Sequence, residues 1–77
     1  MKFNHDKELD LSGLMCPMPL LKAKLALNNM ESKQILKVIA TDPSSEKDFH
    51  LFVEQSVHQI LDFQKGEIAY IYWIRKG

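Results

Sequence analysis

The chain has 77 residues, 45% of them hydrophobic, and its ten basic side chains balance ten acidic ones, which is typical of one small neutral domain. This balance disfavours direct nucleic-acid binding, because phosphate contacts by basic side chains supply most of that affinity. The absence of a signal-peptide pattern, and of an apolar run long enough to cross a bilayer, leads us to expect a cytoplasmic protein without membrane contact.

The N-terminal part of the chain predicts a strand. Residues 1–6 are mostly polar and are expected to form a flexible tail ahead of a single domain over residues 7–77. Over Lys7–Ser12, leucines alternate with polar residues, which is the period of a half-buried strand. Gly13 ends this pattern.

A helix is predicted next, from about residue 17–20 to Met30. Pro17 and Pro19 are compatible with its first turn, because the N–H that proline lacks has no partner there. Leu21 and Leu25 form a ridge on its flank, whose burial does not follow from the pattern. The apolar stripe has the spacing of one helical face and consists of Leu20, Ala23, Ala26, Leu27 and Met30.

The second half of the chain predicts a strand and a second helix. The β-branched segment Gln34–Thr41 is apolar on both faces except at Lys37, which favours a central strand. Ser45 and Asp48 resemble a helix capping box. Apolar residues then keep helical spacing to about residue 57–61.

Strand structure completes the pattern. Ile60–Gln64 is compatible with an extension of the second helix or with a strand, and Lys65-Gly66 marks a turn. Glu67–Arg75 is rich in β-branched and aromatic residues and predicts a strand. The predicted fold is α+β: a two-layer α/β sandwich of order βαβαββ, with two helices on one face of a four-stranded mixed sheet.

Cys16 is the only cysteine, so it forms no internal disulfide, and it lies at the predicted start of the first helix. Free N–H groups and the positive end of the helix dipole favour a thiolate there, so we expect a lowered pKa. The alternative is a small buried hydrophobe, as isolated cysteines often are. Solvent exposure of the sulfur separates the two interpretations.

The segment around this cysteine resembles the signature of the TusA-like (SirA-like) sulfur-carrier family. Many members have a basic residue before the cysteine, where this chain has Met15. The resemblance extends over residues 7–77 and implies the same βαβαββ order. The matching elements are Gly13-Leu14-x-Cys16-Pro17-x-Pro19-Leu20-Leu21-Lys22-x-Lys24, then Ala40-Thr41-Asp42-Pro43-x-Ser45 with Asp48, and finally Arg75-Lys76-Gly77.

The resemblance implies that Cys16 accepts sulfane sulfur from a donor, such as a cysteine desulfurase, and relays it as a persulfide to an acceptor protein, as in tRNA thiolation. It leaves open whether such a carrier counts as an enzyme, a sulfurtransferase, in its own right. We expect a monomer with no cofactor and no metal. The residues expected to support the site are Pro17, Pro19 and Asp42, and those expected to dock partners are Met15, Met18, Lys22 and Lys24.

Other candidate residues favour structural roles. His50 and His58 are eight residues apart on the predicted second helix and cannot chelate one metal together, and a metal site needs three or four converging ligands. Tyr70, Tyr72 and Trp73 suit sheet packing better than base stacking, because no basic residues surround them.

Two rival functions remain at this stage. One is a protein-interaction or regulatory module of the same fold, in which Cys16 only packs. The other is an RNA-binding module, which rests on fold analogy and requires a clustered basic face.

Overall fold

Six elements follow one another in the predicted βαβαββ order in the computed structural model, which describes residues 4–77. Within that range, no helix has the length and apolar character needed to span a membrane. The elements are β1 (Lys7–Leu11), α1 (Met18–Asn28), β2 (Ile35–Ala40), α2 (Ser45–Glu54), β3 (Gln59–Lys65) and β4 (Tyr70–Arg75).

The four strands form one mixed sheet in the order β1-β2-β4-β3. β1 and β2 are parallel, with Leu11 opposite Ala40, and α1 supplies the crossover that a parallel connection requires. β4 is antiparallel to both β2 and β3. The inner position predicted for β2 is therefore confirmed, and residues 60–64 belong to a strand rather than to α2.

The core lies between the two helices and one face of the sheet. The stacked rings of Phe49 and Tyr72, with centroids 4.7 Å apart, join α2 to β4. The predicted stripe of α1 is confirmed, whereas Leu21 and Leu25 are 46% and 62% exposed. The buried residues of the core are Leu11, Ala23, Ala26, Leu27, Met30, Leu36, Val38, Ala40, Phe49, Val53, Tyr72 and Ile74.

The aromatic residues of β4 are packing residues, as the sequence predicts. Tyr72 is fully buried among the core rings, and Trp73 is 4% exposed. Because side chains alternate along a strand, Trp73 lies on the face opposite Tyr72. The ammonium group of Lys37 lies 5.6 Å from the centroid of the Trp73 ring.

α2 ends at Glu54, earlier than the predicted end at residue 57–61. The apolar residues keep helical spacing beyond this point, but the Ser56 hydroxyl bonds to backbone groups at the end of the helix. Its hydroxyl donates to the Val53 carbonyl at 2.9 Å and accepts the His58 N–H at 3.0 Å. These bonds turn the chain into β3 instead of prolonging the helix.

The start of α2 also differs from the expectation. Ser45 is the first residue of the helix, and Ser44 precedes it as the N-cap. Instead of capping the helix, the Ser45 hydroxyl makes a buried hydrogen bond with the Tyr72 hydroxyl at 2.9 Å. The capping-box prediction for Ser45 and Asp48 is therefore wrong, because both side chains have tertiary partners.

Hydrogen bonding to the sheet begins one residue before β1. The Asp6 N–H donates to the Ile35 carbonyl, and the Asp6 carboxylate accepts the Ile35 N–H, both at 2.8 Å. A flexible tail is predicted for residues 1–6, and residues 1–3 of it lie outside the described part of the chain. The tail remains a prediction for those positions.

Replacing Tyr72 with phenylalanine tests the buried bond between β4 and α2. Ser45 and Tyr72 are nearly or fully buried, so water cannot replace the lost bond and the substitution leaves the Ser45 hydroxyl unpaired. We expect the free energy of unfolding to fall by about 1–3 kcal/mol. Urea denaturation measures this, with Tyr70→Phe as the matched control on a half-buried tyrosine of the same strand. Identical stabilities for Tyr72→Phe and the original protein would contradict the assignment.

Candidate functional site

Cys16 lies in the connection between β1 and α1, and its side chain is exposed to solvent. Gly13, at a φ of 84°, turns the chain out of β1, and its N–H donates to the Thr41 hydroxyl at 2.9 Å. Pro17 occupies the N-cap position of α1, and Pro19 is buried in its first turn. The prolines therefore lie at the helix start, as expected, and the sulfur is presented outward.

Asp42 connects this turn to the loop before α2. Its Oδ2 accepts the Cys16 N–H at 2.6 Å and the Ser44 hydroxyl at 2.8 Å, and its Oδ1 accepts the Ser44 N–H at 3.2 Å. These donors lower the pKa of Asp42, the Ser44 hydroxyl having the largest effect. Asp42 thus stabilises its own turn and also holds the backbone of Cys16.

Asp48, in the first turn of α2, faces the sulfur. The Cys16 thiol donates to Asp48 Oδ2 at 3.3 Å. This hydrogen bond raises the pKa of Cys16, the charges of Asp48 and Asp42 act in the same direction, and the Ser44 hydroxyl opposes them. The expected lowering of the pKa is therefore wrong. A helix N-terminus favours a thiolate, but here two nearby carboxylates favour the protonated sulfur.

The predicted docking residues are exposed, but they differ in their surroundings. Met15 and Met18 are 68% and 41% exposed and flank Cys16 in the chain. Lys22 is exposed, and the Lys24 ammonium lies 5.2 Å from the centroid of the Phe52 ring of α2. Among the described residues, no cationic side chain hydrogen-bonds to Cys16.

The histidines do not share a helix, contrary to the prediction. His50 lies in α2 and its Nδ1 is 2.7 Å from the Glu46 carbonyl oxygen. His58 lies beyond the end of α2, where its Nδ1 accepts the Gly77 N–H at 3.0 Å. Burial and a nearby lysine lower the pKa of His58. The described part of the chain contains no cluster of three or more acidic, histidine or cysteine side chains able to hold a metal.

Sequence reasoning missed two neighbours of the thiol. It identifies Asp48 as a capping residue and as part of the family signature, without a contact to the sulfur, and it assigns no role to Ser44. The available signal was a carboxylate in the first turn of a helix that follows a strand parallel to β1. That signal does not reveal which way the side chain points, because Asp48 is 32 residues from Cys16.

Comparison with known proteins extends these observations. A family model described as Sulfurtransferase TusA matches residues 7–76. A protein from Allochromatium vinosum named Sulfur carrier protein TusA is 46% identical over 74 residues, which cover 96% of this chain and 97% of that protein. A Pseudomonas putida protein of the same name is 40% identical over 74 residues, with 96% and 92% covered.

A solved structure shares the fold. The crystal structure of a SirA-like protein from Desulfitobacterium hafniense superposes with a TM-score of 0.78, at 23% sequence identity. The match covers 92% of this chain and 97% of that one. The two-layer arrangement is therefore common to both proteins.

The pH dependence of cysteine alkylation tests the electrostatics of the site. Because the sulfur is exposed, iodoacetamide should modify Cys16 in the native protein without unfolding. Because the carboxylates favour the thiol form, the midpoint of the native pH–rate profile should lie above that of the chain unfolded in urea. A native midpoint below the unfolded one, or a reaction that requires unfolding, would contradict this geometry.

Proposed function

The chain belongs to the TusA family, and from that premise we propose that it is a sulfur carrier that accepts sulfane sulfur on Cys16 as a persulfide and yields it to an acceptor protein. The observation that carries the proposal is the solvent-exposed sulfur of the only cysteine, at the start of α1. A persulfide donor has to bring its own sulfur within bonding reach of this atom. An exposed thiol in a short turn allows that approach.

The chemistry is an exchange between a thiolate and a persulfide. The Cys16 thiolate attacks the terminal sulfur of the donor persulfide, and a new S–S bond forms with the electron pair of the attacking sulfur. The bond between the two donor sulfurs breaks, and its electron pair stays on the donor thiolate. The proton that Cys16 lost on ionisation is taken up by that thiolate. A second exchange, at the acceptor, regenerates the free cysteine.

The residues beside the sulfur support this exchange by fixing the backbone. Asp42 accepts the Cys16 N–H, and Pro17 and Pro19 restrict the chain that follows it. Reproducible presentation of one sulfur atom matters because thiol exchange needs a defined approach of the attacking atom. This exchange uses neither a metal nor a cofactor.

Partner proteins supply the sulfur and receive it. We propose a cysteine desulfurase as the donor and a tRNA-thiolation pathway as one destination, in the cytoplasm, with the carrier acting as a monomer. Docking would use four exposed residues close to the sulfur in sequence. These are Met15, Met18, Lys22 and Lys24.

The rival functions find less support in the structure. A module in which Cys16 only packs is disfavoured, because the sulfur is exposed rather than buried. An RNA-binding face is disfavoured because Lys37 lies over Trp73 and Lys65 pairs with Glu46, at 3.3 Å, within a chain of zero net charge.

Sulfur loading of the protein tests the proposal directly. After incubation with a cysteine desulfurase and cysteine, intact mass should rise by one sulfur atom, and reduction should reverse the change. Cys16→Ser should abolish the gain while retaining the native circular dichroism spectrum, because the side chain is exposed. Cys16→Ala should unfold at nearly the same urea concentration as the original protein. Loading of Cys16→Ser would exclude Cys16 as the acceptor.

A further inference from the structure

Two carboxylates act on the sulfur of Cys16, and they come from two different segments. Asp48 of α2 accepts a hydrogen bond from the thiol at 3.3 Å, and Asp42, in the loop before α2, accepts one from the Cys16 N–H at 2.6 Å. No cationic side chain among the described residues contributes to the pKa shift of the thiol. An ionised sulfur would thus face two negative charges in the free protein.

The other charged residues around the site make contacts of their own. In the first turn of α2, Glu46 pairs with Lys65 of β3 at 3.3 Å, and Lys47 lines a groove with His50 on the side of α2 near Pro43. In α1, the Lys24 ammonium lies over the Phe52 ring. Lys24 and Asp48 line the same groove, without an ion pair between them. Asp48 therefore presents its carboxylate to the thiol, and no ion pair to it is formed within the described part of the chain.

We propose that Asp48 is a positioning residue that holds Cys16 as a neutral thiol in the free carrier, and that a partner brings a cationic side chain to this carboxylate when it exchanges sulfur. The inference rests on the proposed function. Its physical basis is that the carboxylate stabilises the S–H form by accepting a hydrogen bond from it, and that the carboxylate repels the thiolate. A partner cation would pair with Asp48 and remove both effects.

This arrangement separates the idle carrier from the engaged one. In the free protein, the thiol form limits reaction with other electrophiles, because the thiolate is the attacking species. In the complex, pairing of Asp48 lets Cys16 ionise beside the donor persulfide. The proton that Cys16 releases ends on the donor thiolate produced by the exchange, so the protonation balance of the overall step is unchanged.

Alkylation of the free protein tests the first part without any partner. Asp48→Asn should move the midpoint of the iodoacetamide pH–rate profile to lower pH. At neutral pH the rate should rise about threefold for each unit by which the pKa falls, since a tenfold gain in thiolate is partly offset by lower nucleophilicity. Asp48→Glu, which keeps the charge, should lie closer to the original profile than Asp48→Asn.

Glu46→Gln is the matched control for these variants. It removes the same charge from the same helical turn, but its carboxylate is paired with Lys65 rather than with the thiol. The control should leave the alkylation midpoint unchanged, which separates a local effect of Asp48 from a general effect on the helix dipole. Thermal melts monitor folding. An Asp48→Asn profile that coincides with the original one would overturn the proposed restraint.

Loading by a cysteine desulfurase with cysteine tests the second part. Loss of a solvent-exposed charge pair should raise the KM for Asp48→Asn about two- to fivefold without lowering kcat. The Glu46→Gln control should keep the original KM. An unchanged KM for Asp48→Asn would overturn the proposal that a partner cation pairs with this carboxylate.

The alkylation and loading measurements together distinguish failure of this inference from failure of the function on which it rests. If no protein is loaded, including the original, yet Asp48→Asn still shifts the alkylation profile, the sulfur-carrier proposal fails and the restraint on the thiol stands. If the original protein is loaded while Asp48→Asn matches it in both measurements, the carrier proposal stands and the role of Asp48 is refuted.

Discussion

The parallel pairing of β1 with β2 is the constraint on which the site depends. With Leu11 opposite Ala40, the two strands end side by side at the same edge of the sheet. Each is followed by a short turn and then a helix, so the two turns lie next to each other. The Gly13–Thr41 and Cys16–Asp42 hydrogen bonds join these turns. An antiparallel pair would place the two turns at opposite ends of the sheet.

The same pairing determines the electrostatics of the sulfur. It brings the N-terminus of α1, which favours negative charge, beside the first turn of α2, which carries Asp48. A helix N-terminus contributes only about 0.3–1 kcal/mol to an exposed anion, and the effect is easily offset by a carboxylate in hydrogen-bond contact. The protonated form of Cys16 is therefore favoured in the free protein. This suits a carrier that is activated where it meets a partner.

The core and the site use different faces of the helices. The small residues Ala23 and Ala26 let α1 pack closely on the sheet, and Phe49 of α2 stacks on Tyr72. Met15, in the turn before α1, and Met18, at the start of α1, lie outside this core and flank Cys16 in the chain as exposed side chains. The Ser45–Tyr72 hydrogen bond connects the two regions, because it ties the first turn of α2 to β4.

The sequence by itself determined the features that depend on local patterns. Alternation, helical spacing and β-branched segments identified the order of the elements and the buried stripe of α1, because burial follows the period of the backbone. Apolar residues on both faces of β2 indicated its inner position. The Cys-Pro-x-Pro segment placed Cys16 at a helix start, because proline suits the first helical turn. The resemblance of that segment to the TusA-like family also pointed to the family that the comparisons show.

Only the tertiary structure decided the features that depend on distant residues. Ser45 has a local sequence context compatible with a helix cap, yet its hydroxyl bonds to Tyr72, 27 residues away. The upward shift of the Cys16 pKa depends on Asp48, which is 32 residues away. Patterns of hydrophobicity specify which faces are buried. The half-buried carboxylate of Asp48 meets the exposed thiol only through the register of β1 on β2, and neither strand determines that register by itself.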